Sequence, residues 1–210
     1  MKPLLVVFFV YFFLILYSYL FPANRKYRKV ISKPATYIEG NALGQRLKQK
    51  AALSRQFALQ NGLSSHYVFL IDMRLPSGKK RFFVYDFTKD SLIITGLVAH
   101  GSCNTSYMAE PAFSNALNSG CSSLGRFKIG GAYQGRFGKA FKLYGLDSSN
   151  ANCYERAIVL HAYKHVPDVE VYPRPICNSL GCPMISYHFL ETLSQLLKKE
   201  RKPVLLWIYT

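Results

Sequence analysis

Residues 66–100 read HYVFLIDMRLPSGKKRFFVYDFTKDSLIITGLVAH, and this stretch decides the fold class. Three short runs, 66–73 (HYVFLIDM), 81–87 (RFFVYDF) and 92–100 (LIITGLVAH), are rich in β-branched and aromatic residues. Such residues suit a pleated, half-buried surface. Pro76-Ser77-Gly78 and Thr88-Lys89-Asp90-Ser91 separate the runs with turn chemistry. The stretch therefore predicts a strand meander. Downstream, further strands are predicted at 125–129, 141–143, 157–161 and 204–209. A helix is predicted at 186–200, where Phe189, Leu190, Leu193, Leu196 and Leu197 share one side and Ser186 stands as N-cap. Upstream, 41–61 predicts a helix with an incomplete apolar face (Leu43, Leu47, Ala51, Ala58, Leu59), stopped by Gly62. Between the meander and the later strands lies a long loop, 101–124, rich in Gly, Ser and Asn. Loops of that length inside a compact domain are usually functional or disordered.

The chain has 210 residues, half of them hydrophobic, enough for one domain with a sizeable core. That excludes wholesale disorder, and the lack of a G-X-Y or heptad repeat excludes collagen-like and coiled-coil classes. A formal net charge of +16 favours an anionic partner: nucleic acid, phospholipid or an acidic cell envelope. Nearly half of the excess lies in 24–50, with eight Lys/Arg and one Glu, which reads as a basic tether. Five cysteines are too few for a disulfide scaffold and odd in number, which leaves one as a working thiol.

Residues 4–21, LLVVFFVYFFLILYSYLF, carry no charge over 18 positions, just enough for a helix to cross the hydrocarbon core. Lys2 precedes the run, and Phe21-Pro22 offers no small-x-small cleavage site. The segment reads as an uncleaved anchor or an atypical signal. Arg25, Lys26, Arg28 and Lys29 behind it oppose export by the positive-inside rule. The expected organisation is 1–23 anchor or signal, 24–62 basic linker and helix, and 63–210 catalytic domain.

The chemistry concentrates in 157–185, AIVLHAYKHVPDVEVYPRPICNSLGCPMI. His161 ends an apolar strand, and Ser179-Leu180-Gly181-Cys182-Pro183 follows after an excursion long enough to bring both ends together. A thiol is a weak nucleophile until deprotonated, and a nearby imidazole lowers its pKa and later returns a proton to a leaving amine. Gly181 permits close backbone approach, and the N–H groups of Gly181 and Cys182 are candidate oxyanion donors. From residue types alone, a buried structural cysteine is the commoner fate.

The pattern His161, then Ser179-x-Gly181-Cys182, resembles the L,D-transpeptidase (YkuD-like) catalytic domain family. It is most similar to a branch of murein L,D-transpeptidases in which proline follows the cysteine. Other stretches share the resemblance: 97–101 (LVAHG), 122–127 (SSLGRF), Gly145-Leu146, Asn150 and 156–161 (RAIVLH). Two departures matter: Leu180 stands where the better-known pattern has histidine, and Pro183-Met184 where it has arginine. The resemblance implies a mainly β, L,D-transpeptidase-like β-sandwich with a late helix, preceded by an N-terminal hydrophobic helix and a short helical segment. It implies a cysteine transpeptidase acting on peptidoglycan stem peptides. Cys182 would be the nucleophile and His161 its proton partner, with Gly181 and Ser179 shaping the loop. His100, Ser123 and Arg174 are the candidate substrate-binding residues.

Arg156, five residues before His161, falls on the opposite face of a regular strand and reads as structural. Of the remaining cysteines, Cys103 with Cys121 would pin the long loop and is the first pairing expected, among three possible. No metal or organic cofactor is expected: His100-x-x-Cys103 and Cys177-x4-Cys182 have ligand chemistry but form no paired motif. No nucleic-acid signature accompanies the charge. The expected partners are wall peptides and, through 4–21, a membrane; the expected location is the cell envelope, anchored or secreted. Oligomeric state, acceptor and third stem residue are left open. The alternatives are an L,D-carboxypeptidase using water and a non-catalytic wall-binding module.

Overall fold

A computed structural model describes residues 40–210. The apolar segment 4–21, its basic flank and the expected N-terminal helix lie outside the described residues. Helix α1 (Gly40–Gln60) is followed by strands β1 (Tyr67–Asp72), β2 (Phe82–Asp86) and β3 (Ser91–Gly96). After the long loop come β4 (Gly125–Gly135), β5 (Gly138–Gly145), a 3-10 turn (Ser148–Cys153) and β6 (Val159–Ala162). The chain ends with β7 (Met184–Ile185), α2 (Tyr187–Lys199) and β8 (Leu205–Tyr209). Residues from Leu43 to Thr210 form one compact unit, so α1 packs with the strands.

The domain is mainly β with a late helix, as expected. The sandwich needs a correction in detail: its strands make one eight-stranded sheet, ordered β3-β2-β1-β8-β4-β5-β6-β7. The pairs β1–β8 and β6–β7 are parallel, the others antiparallel. Just past β3, Ala99 bridges Met184 of β7, so the two edges of the sheet meet. Meeting edges leave fewer unpaired strand groups open to solvent.

Two of the apolar clusters cover the faces of the sheet. One face buries Phe69, Phe82, Phe127, Leu160 and Ile185 with Phe189 and Leu193 of α2. The other buries Val68, Leu70, Phe83 and Leu205 under Leu47, Ala51 and Ala58 of α1. Alternate residues of β1 thus enter different clusters, and both faces of this strand are covered. That explains why YVFLID is a continuous apolar run rather than an alternating one. Ser186 caps α2 by accepting the Phe189 N–H at 3.1 Å, satisfying one of the helix's orphan donors.

Strands β4 and β5 are longer than expected, 11 and 8 residues, and form a hairpin closed by Gly135–Gly138. Its outer part is exposed and Gly-rich, so it lacks the apolar alternation that announces a strand. The run 92–100 is split: β3 ends at Gly96, and residues 97–99 turn away to reach β7.

Candidate active site

The parallel pairing of β6 with β7 builds the site. His161 is registered against Met184, two residues beyond Cys182. The excursion 163–183 thus returns Cys182 alongside the strand that carries His161. The Val159 N–H donates to Cys182 Sγ at 3.4 Å, and the thiol donates toward Ala157 O at 3.7 Å. Both His161 and Cys182 line a cavity of about 600 Å³, together with Phe137, Tyr163, Tyr107 and Leu180.

His161 is buried, and its Nδ1–H donates to Ala162 O at 2.9 Å. A carbonyl accepts only from a protonated nitrogen, so this bond leaves Nε2 as the ring's basic nitrogen. The Phe137 ring stacks on the imidazole at 5.1 Å with a 15° interplanar angle. Burial pushes the His161 pKa below its ordinary value, with the Ala162 carbonyl opposing. Burial pushes the Cys182 thiol up, opposed by the Val159 N–H and the Arg156 guanidinium. Both shifts run toward the neutral forms and so oppose the preformed ion pair that residue types lead one to expect.

The turn before Cys182 is set by Ser179 and Gly181. Ser179 Oγ accepts the Gly181 N–H at 3.1 Å, and Ser122 Oγ donates to Gly181 O at 3.3 Å. Gly181 has φ of +113°, and a Cβ there would lie 2.7 Å from Cys121 O. Only glycine fits both demands. The expected oxyanion donors need correction: the Gly181 N–H belongs to the turn, which leaves the Cys182 N–H as the one not engaged by Ser179. Leu180, at the position of the absent histidine, is 73% exposed and lines the cavity.

The three expected substrate-binding residues are placed elsewhere. His100 is fully buried and does not line the cavity. Arg81 Nη2 donates to its Nδ1 at 2.8 Å, and its Nε2–H donates to Met108 O at 3.1 Å. Burial, then the Arg81 charge, lowers its pKa from 6.5 to about 4. Its backbone supports the site: His100 O accepts the Ser179 N–H at 2.8 Å. Ser123 is buried too, donating to Ser114 O at 2.8 Å. Arg174 is exposed and outside the cavity.

Arg156 is the residue that strand periodicity misplaces. Ala157 has φ of +52°, and β6 begins only at Val159. Arg156 therefore obeys no strand alternation. Its Nη2 would lie 3.2 Å from a Cβ on Gly181, beside the nucleophile's turn. The expected Cys103–Cys121 disulfide is formed, and Cys153, Cys177 and Cys182 are free. Among the described residues no cluster of three His, Cys, Asp or Glu is placed to hold a metal ion.

The model of the L,D-transpeptidase catalytic domain family, YkuD_2, matches residues 39–209. The chain belongs to this family. Solved structures to which the chain is similar include the helical cell shape determining protein Pgp2 from Campylobacter jejuni. It is 14% identical, with 68% of this chain and 47% of that chain covered and a TM-score of 0.41. Another is the L,D-transpeptidase from Xylanimonas cellulosilytica DSM 15894, at 13% identity, 73% and 68% coverage and a TM-score of 0.39. The chain spans about half the length of Pgp2. No curated protein matches it. Within the L,D-transpeptidase catalytic domain, 39–209, lie every cavity residue and the whole hydrogen-bonded turn around Cys182.

Proposed function

We propose that the protein is a cysteine L,D-transpeptidase of the cell envelope, tethered by 4–21, that acts on peptidoglycan stem peptides. The observation that carries this reading is the placement of His161 on β6 and of Cys182 on the turn leading into the neighbouring β7, both at one cavity inside the family's catalytic domain. The Cys182 proton passes to Nε2 of His161 as the sulfur attacks the carbonyl of the L-centre at stem position three. The negative charge that develops on the carbonyl oxygen falls to the Cys182 N–H. His161 then gives its proton to the amine of the departing D-alanine, and a thioester remains on Cys182. A side-chain amine of a second stem loses a proton to His161 and attacks the thioester, forming a 3→3 cross-link and restoring the thiol. Water in place of that amine gives L,D-carboxypeptidase trimming.

The test is incubation with defined tetrapeptide muropeptides, comparing the native chain with Cys182→Ala by mass spectrometry. D-alanine release together with a cross-linked dimer is expected from the native chain alone. Release that persists in Cys182→Ala overturns the assignment.

A further inference from the structure

Burial around Cys182 disfavours a charge on its sulfur, so an anion formed there needs a stabilising partner. Among the described residues, no Lys or Arg lines the cavity. The titratable groups that share the cavity with Cys182 among the described residues are His161, His165, Tyr107, Tyr163 and Cys177, none of which is a fixed cation. Such a cation stands behind the turn instead. Arg156 is gripped by the long loop: Nη1 donates to Ser114 O at 2.8 Å and Ser123 Oγ at 2.5 Å. Nη2 donates to Ser119 Oγ at 3.1 Å and Cys121 O at 2.5 Å. All four acceptors are neutral, and among the described residues no carboxylate pairs with this guanidinium. The groups whose negative charge favours its protonation are the thiols of Cys182 and Cys153. Cys153 already donates to Leu143 O at 3.1 Å deep in the core, which leaves Cys182 as the thiol that can ionise at the site.

We propose that Arg156 is a positioning residue: cradled by the 101–124 loop behind Gly181, it supplies the fixed positive charge that stabilises the Cys182 sulfur anion. An arginine is suited to this because its charge persists at every working pH and its planar fork is held by several acceptors at once. The cradle also gives the Cys103–Cys121 disulfide a functional consequence. The bond closes the loop at the residue whose carbonyl holds Nη2.

This inference deepens the reading of Cys182 as nucleophile, and it is tested without substrate. Alkylation of Cys182 by iodoacetamide is followed by peptide mass spectrometry across pH, in the full chain and in Arg156→Gln, Arg156→Lys and His161→Asn. Losing a neighbouring cation raises a thiol pKa by about one unit or more. Less thiolate, partly offset by its greater intrinsic nucleophilicity, makes Arg156→Gln about threefold slower near pH 8. Above both inflections the variant is no slower than the native chain, whereas blocked access would slow it at every pH. Arg156→Lys keeps most of the native profile, and His161→Asn leaves the inflection in place. An unmoved inflection in folded Arg156→Gln overturns the proposal. Should Arg156→Gln not fold, His161→Asn decides: an inflection raised by about one unit there would assign the stabilising charge to the imidazole. Failure to release D-alanine, with the Arg156 dependence intact, would remove the substrate assignment and leave this inference standing.

Discussion

Replacing Gly181 by alanine tests the geometry around the nucleophile with a single methyl group. The residue sits at φ +113°, where an L side chain is strained by on the order of 1–3 kcal/mol. The new Cβ would also lie 2.7 Å from Cys121 O, 2.9 Å from Ile158 Cδ1 and 3.2 Å from Arg156 Nη2. The first of these is backbone fixed by the disulfide, so it yields least. Strain and displacement together cost about 3 kcal/mol, which for a domain of this size lowers Tm by roughly 6–12 °C. Thermal unfolding followed by circular dichroism measures this directly. Gly44 in α1 is the matched control, with nothing within 4 Å of its Cβ position. There alanine favours the helix and stabilises by about 0.5–1 kcal/mol. A Gly181→Ala variant that melts within about 1 °C of the native chain would refute the reasoning about the turn.

Other outcomes follow from the same contacts. Ser186→Ala removes the cap of α2 and costs about 1 kcal/mol, read as a shift in urea midpoint. Opening the Cys103–Cys121 bond by the paired Ser substitutions costs about 3 kcal/mol, given the separation of 18 residues, and slows Cys182 alkylation through the loosened Arg156 cradle. His100 has a folded pKa of about 4 against 6.5, so the unfolded chain takes up its proton first as the pH falls. Its contribution is fully present above 6.5 and is lost as the pH drops toward 4, by up to about 3 kcal/mol. Urea midpoints at stepped pH should therefore fall less steeply over that window in a folded His100→Gln variant than in the native chain.

Much of this arrangement is legible in the sequence because burial leaves a pattern. β1 and β8 are continuous apolar runs since both of their faces are covered, and α2 shows its apolar side and its capping serine. Other parts are silent for physical reasons. The outer half of the β4–β5 hairpin is largely exposed and carries glycines, so no apolar alternation marks it. β7 is two residues long, and its parallel pairing with β6 is visible only as the return of the chain to His161. A histidine at a strand end reads the same whether it faces a cavity or a buried guanidinium; His100 does the latter. Arg156 is missed because alternation presumes a regular strand, and the left-handed Ala157 breaks it. Ser123 belongs to the same lesson: it serves the site through Arg156, by a contact that closes over 33 positions of chain.

The central claim is that a stem peptide becomes covalently attached to Cys182. Rapid acid quenching of the native chain with a tetrapeptide stem, followed by peptic digestion and mass spectrometry, detects that thioester. The account predicts an acyl adduct of the tripeptide on the peptide containing Cys182, formed as D-alanine appears and absent in Cys182→Ala. D-alanine appearing with the adduct on Cys177, or appearing undiminished in Cys182→Ala, would contradict it.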